Sequence, residues 1–78
     1  MAADPTLVDA RGHRCPVPTL RLRRALEAAP PGGRVRLIAD DPLARIDVPH
    51  FAASLPAKLL ATVEEADGSI SFLVEKAP

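Results

Sequence analysis

Apolar and polar positions along this chain follow two periods, and the switches between them predict six elements. Thr6-Leu7-Val8-Asp9 is a β-branched, apolar run between Pro5 and the polar stretch Arg11-Gly12-His13-Arg14, and predicts a short strand. From Pro16 to about Ala29 the spacing is helical. Pro18, Leu22, Ala25, Leu26 and Ala29 fall on one side of that helix, and Val17, Leu20, Arg21, Arg24 and Ala28 on the other. The first set should face a core. Pro30-Pro31-Gly32-Gly33 stops the helix and turns the chain. Arg34 to Ala39 begins with alternation and ends apolar, as a central strand does.

Asp40-Asp41-Pro42 reads as a turn or cap, and Leu43 to Leu55 as a second helical region. Pro49 would break a helix interior. The expectation is therefore Asp47 as N-cap, Pro49 in the first turn, and Leu43 to Ile46 as a separate turn. Pro56 ends the helix. Ala57 to Glu65 and Ser69 to Lys76 are two strands joined by Ala66-Asp67-Gly68, a hairpin signal. Ile70, Phe72 and Val74 share one face of the last strand. The predicted order is βαβαββ: an α/β two-layer sandwich with a four-stranded mixed sheet and two helices on one face. The first two strands should run parallel around the first helix. The 78 residues form one domain, residues 1–78, with an ordered core of about 6–76.

Composition narrows the class. With 47% hydrophobic and 3% aromatic residues, the core must be built from Leu, Val, Ile and Ala. A single cysteine excludes an internal disulfide and hence a stapled secreted scaffold. No apolar stretch is long enough to span a membrane, and the N-terminus shows no secretory pattern, so the expectation is a cytoplasmic protein. Ten basic against ten acidic residues argue against direct nucleic-acid binding, as does the lack of stacking aromatics. The balance hides an asymmetry. Residues 1–36 carry seven Arg against three acids, +4, and residues 37–78 three basic against seven acidic residues, −4. Such polarity can orient a charged protein partner, but on the sequence alone a solvated helix face that happens to be Arg-rich is the preferred reading.

Candidate chemistry centres on Cys15. A lone cysteine is commonly an inert small hydrophobe. Cys15, however, lies outside the strands, among Arg11, His13 and Arg14, where the loop enters the helix. With Pro16 at the first helical position and Pro18 at the third, Cys15 is expected to be the N-cap, its sulfur accepting from the Val17 amide. These features should lower its thiol pKa. Cysteine–histidine catalysis lacks a well-placed base, dithiol cycling lacks a second thiol, and zinc lacks clustered ligands, so no metal and no cofactor are expected. Carrying a group on sulfur needs one exposed, activated thiol, and a persulfide is the natural cargo.

Val8-Asp9-Ala10-Arg11-Gly12-His13-Arg14-Cys15-Pro16-Val17-Pro18 resembles the signature of TusA/SirA-like sulfur carriers: apolar residue, Asp, two residues, Gly, two residues, Cys-Pro-x-Pro. The resemblance continues through Ile38 to Pro42 and Ile46 to Phe51 into the terminal hairpin. It implies a βαβαββ sandwich, with Cys15 as the persulfide site and Asp9, Gly12, Pro16 and Pro18 as its framework. It also implies a cysteine desulfurase or rhodanese-type donor. Acceptors would feed tRNA thiolation, molybdenum cofactor synthesis or sulfur oxidation through DsrE-like proteins. The chain departs from the family at Val17 (often Glu), His13 (usually apolar), His50 (often Gly) and Ala52 (a second cysteine in some members). Val17 and Leu20, apolar on the solvent side of the helix, with Arg14, Arg21 and Arg24, form the expected partner-docking patch of a monomeric carrier. The alternative is a regulatory or binding module with no sulfur relay.

Overall fold

The computed structural model of the chain describes residues 5–14 and 16–78. The elements run β1 (Thr6–Asp9), α1 (Val17–Ala28), β2 (Arg34–Ala39), α2 (Ala44–Ala53), β3 (Ala57–Glu64) and β4 (Ile70–Lys76). The sheet order is β1-β2-β4-β3, with β1 parallel to β2 and the other pairs antiparallel. This is the expected mixed sheet and element order.

Period-two alternation puts Val35, Leu37 and Ala39 of β2 opposite Val74, Phe72 and Ile70 of β4, all buried. Val8, Leu22, Leu26, Ala44 and Val48 complete this layer, and Phe72 is fully buried within it. Both helices pack here and against each other. The opposite sheet face carries Arg36, Ile38 and Leu73, only half-buried. A bulge shifts the β3 register between Leu59 and Ala61. Leu59 therefore packs on the core, while Val63 is exposed. The β3–β4 turn holds Gly68 at φ +90°, where a side chain would be strained.

The first helix presents the expected faces. Pro18, Leu22 and Leu26 are buried, while Val17, Leu20, Arg21, Arg24 and Ala28 are exposed. Its start differs. Pro16, not Cys15, is the N-cap residue, and the helix begins at Val17. Pro16 and Pro18 have no N–H, and the Val17 amide donates to the Arg14 carbonyl at 2.9 Å. The Pro16 carbonyl then accepts from the Leu20 amide at 3.0 Å and from the Thr19 hydroxyl at 2.8 Å. Cys15 itself lies outside the described residues. At the far end, Ala29 is extended (ψ 150°), as a residue before proline prefers, and Lys76 Nζ donates to its carbonyl at 2.9 Å.

The second helix corrects the expectation at Asp47 and Pro49. It starts at Ala44 with Leu43 as N-cap, absorbs the Leu43–Ile46 turn, and holds Pro49 in its interior. Asp41 starts it: its carboxylate accepts from the Leu43 amide at 3.1 Å and its carbonyl from the Ala44 amide at 2.9 Å. Proline here forgoes a bond to the Arg45 carbonyl, at a cost of about 3 kcal/mol. Burial of Ala44, Val48 and Ala52, one stripe at four-residue spacing, offsets it. Two alanines make that stripe a faint signal in the sequence.

Candidate functional site

The candidate site is the loop from Ala10 to Pro16, between the end of β1 and the start of α1. The Ala10 amide donates to the Ile38 carbonyl at 2.8 Å and extends the β1–β2 pairing into the loop. The Gly12 amide donates to the Asp40 carboxylate, 3.0 and 3.1 Å from its two oxygens. Gly12 sits at φ +84°, a left-handed conformation that glycine adopts freely. The His13 amide closes a turn on the Ala10 carbonyl at 3.2 Å. The loop that carries Cys15 is thus tied to the end of β2 by Asp40, a residue that the sequence marks only as part of a turn.

Asp9 ties the other side. Its carboxylate accepts from the Arg11 amide at 3.1 Å and from the Arg11 guanidinium at 2.9 and 2.8 Å. Arg11 side-chain hydrogen bonding, with its amide bond and charge, holds the Asp9 carboxyl down at about 2 and raises the Arg11 pKa above its ordinary value. Arg11 also reaches Asp67 of the β3–β4 turn at 3.5 Å. Hydrogen bonds from Ser69, followed by the charge of Arg11, lower the Asp67 pKa. The Arg21 guanidinium donates to the Asp9 carbonyl at 2.8 Å. Arg21, an expected docking residue, therefore also braces α1 against β1.

Arg14, Val17, Leu20 and Arg24 are exposed along the start and outer side of α1, next in the chain to Cys15. Among the described residues Arg14 and Arg24 enter no ion pair, whereas Arg23 lies 4.0 Å from Glu27 and Arg45 pairs with Glu64. Of the framework residues, Pro18 is buried while Asp9, Gly12 and Pro16 lie at the surface. An open cleft of about 580 Å³ runs between the two helices, lined by Pro16 and Thr19 of α1's first turn and by Leu43, Asp47, His50, Phe51 and Ser54 of α2. The sequence reading missed it, because it joins residues from two elements. Among the described residues no group of three His, Cys, Asp or Glu is arranged to hold a metal ion, and no helix is long and apolar enough to cross a membrane.

The pattern of the family described as sulfurtransferase TusA matches residues 6–76, nearly the whole chain. The chain belongs to the TusA family. It is 38% identical over 76 residues to the sulfur carrier protein TusA of Pseudomonas fluorescens, covering 97% of this chain and 89% of that protein. It is 35% identical over 68 residues to a putative sulfur carrier protein of Archaeoglobus fulgidus, covering 87% and 88%. The crystal structure of a SirA-like protein from Desulfitobacterium hafniense superposes with a TM-score of 0.82 at 26% identity, covering 94% of this chain and 99% of that one. The loop braced by Asp9 and Asp40 is thus set in a TusA-family sandwich.

Proposed function

We propose that this chain is a sulfur carrier that holds sulfur as a persulfide on Cys15 and relays it between two protein partners. The observation that carries the reading is the loop: Asp9, Arg11 and Asp40 brace an exposed segment that leads, through Arg14 and Pro16, into the N-terminus of α1. A thiol at that junction stands beside an arginine and near the positive end of a helix, which favours the thiolate. In loading, the Cys15 thiolate attacks the outer sulfur of a donor's persulfide. The new bond forms to the Cys15 sulfur, the donor's S–S bond breaks, and the donor cysteine leaves as thiolate. Discharge to an acceptor thiolate is the same exchange, and neither step needs an oxidant or reductant.

A cysteine desulfurase or a rhodanese-type protein fits the donor role, and a DsrE-like or other thiol protein the acceptor role. The patch of Arg14, Val17, Leu20, Arg21 and Arg24 would meet these partners, with the chain acting as a monomer in a reducing cytoplasm. Intact mass after incubation with a persulfide donor tests the reading. The wild-type chain gains whole sulfur atoms that a reductant removes, and Cys15→Ser gains none. An unchanged wild-type mass with desulfurase, rhodanese and polysulfide alike would overturn it in favour of a binding module without sulfur relay.

A further inference from the structure

The cleft between the helices has a composition of its own. Leu43, Asp47, His50, Phe51 and Ser54 form one stripe of α2, facing Pro16 and Thr19. Both hydroxyls are spent on backbone: Thr19 donates to the Pro16 carbonyl at 2.8 Å and Ser54 to the Phe51 carbonyl at 2.7 Å. The side chains of Asp47 and His50 make no hydrogen bond or ion pair among the described residues, and Asp47 is the cleft's one carboxylate. Beside the His50 imidazole, the rest of the wall is mainly apolar, with Leu43 55% exposed and Phe51 half-buried. The cleft therefore suits a side chain with an aliphatic stem and a cationic head. The outer side of α1, rich in arginine, has the opposite charge preference.

We propose that this cleft receives a lysine or arginine carried by the partner's reacting-cysteine loop, and that Asp47 takes its charge. The inference rests on the persulfide reading for its purpose. Pro16 lines the cleft and follows Cys15 directly in the chain, so a segment seated there packs against the residue next to Cys15. The partner must attack as thiolate, and protein thiolates are held by nearby cations. An anionic wall at this place selects a loop that carries such a cation, and it repels an acidic one.

The test uses the full-length chain, labelled with nitrogen-15, and two ten-residue peptides. Each has serine in the cysteine position and leucine beside it; one carries flanking lysines, the other flanking glutamates. The lysine peptide shifts the amide signals of Leu43, Asp47, His50 and Ser54, while the glutamate peptide leaves them in place. Asp47→Asn weakens lysine-peptide binding at least tenfold. Ser54→Arg, which brings a cation to the exposed end of the cleft, does the same and serves if the first variant folds poorly. Equal or stronger binding of the glutamate peptide, or wild-type affinity in both variants, overturns the proposal. So do cleft signals that move on dilution without peptide, which would make a second copy the occupant. The peptides hold no sulfur, so this outcome is read separately from persulfide formation on Cys15.

Discussion

At the residue scale, Asp9 does two things at the mouth of the site: its carboxylate holds Arg11 and its carbonyl holds Arg21. The ion pair is about half exposed, so its net contribution is small. Its pH dependence still has a definite sign. A carboxyl lowered in the folded state stabilises the fold above its ordinary pKa, and that stabilisation is lost as pH falls, here from about 4 towards 2. Asp67, lowered chiefly by Ser69, acts in the same direction. Asp9→Asn should lower stability slightly at neutral pH and flatten the acid loss in that window. Urea melts between pH 2 and 7 check this, and an acid slope equal to wild type would show that the contact with Arg11 is dispensable. For Cys15 the expected thiol pKa is below the free value of about 8.5. The rate of iodoacetamide alkylation against pH measures it, and an apparent value at or above the free one removes the activation argument.

At the scale of elements, the two sides of α1 should respond in opposite ways. Leu22 is fully buried against the sheet and Leu20 is 55% exposed. Leu22→Ala should destabilise by about 2–5 kcal/mol. Leu20→Ala should stay within about 0.5 kcal/mol of wild type in thermal melts, yet slow sulfur transfer in a single turnover. In α2, Pro49→Ala restores a donor for the Arg45 carbonyl and removes the ring's clash with it. Part of that gain is lost because alanine leaves the unfolded chain freer. The expected net effect is a stabilisation of about 2 kcal/mol in urea midpoints, and a loss of stability would mean that packing around Pro49 outweighs the missing hydrogen bond.

At the scale of the whole molecule, charge is divided between the two halves of the chain, +4 and −4, in a body 31 × 24 × 17 Å across. The two halves meet in the fold, where Arg11 pairs with Asp67 and Arg34 with Glu75, and screening at physiological salt acts over about 8 Å, so exposed charges steer partners mainly at low ionic strength. Arg24, exposed and in no ion pair among the described residues, is a rim charge of this kind. Arg24→Glu should slow association with an acidic partner at low salt, and the defect should shrink as salt rises. Stopped-flow transfer rates over a salt series decide it. A defect independent of salt would place Arg24 in a direct contact rather than in long-range steering.

Much of the architecture was legible in the chain itself, because burial on one face imposes local periods. Leu22 and Leu26 on α1 and Ile70, Phe72 and Val74 on β4 announce their faces through spacing alone. The Pro-Pro-Gly-Gly stop and the Asp-Gly turn announce the punctuation. The Cys-Pro-x-Pro segment, with Asp9 and Gly12 upstream, singles out the candidate site. The start of α1 differs from the expectation by one residue and that of α2 by four. A helix begins where its first amides find acceptors, and these were the Arg14 carbonyl and Asp41, with a proline inside α2 tolerated because its buried stripe offsets the lost bond. The anchoring of Gly12 by Asp40 and the cleft that joins Pro16 to Asp47 and His50 link residues about 30 positions apart. No local pattern encodes such a pairing. It exists only once β1, β2 and the two helices have packed, since packing alone brings those side chains within reach of each other.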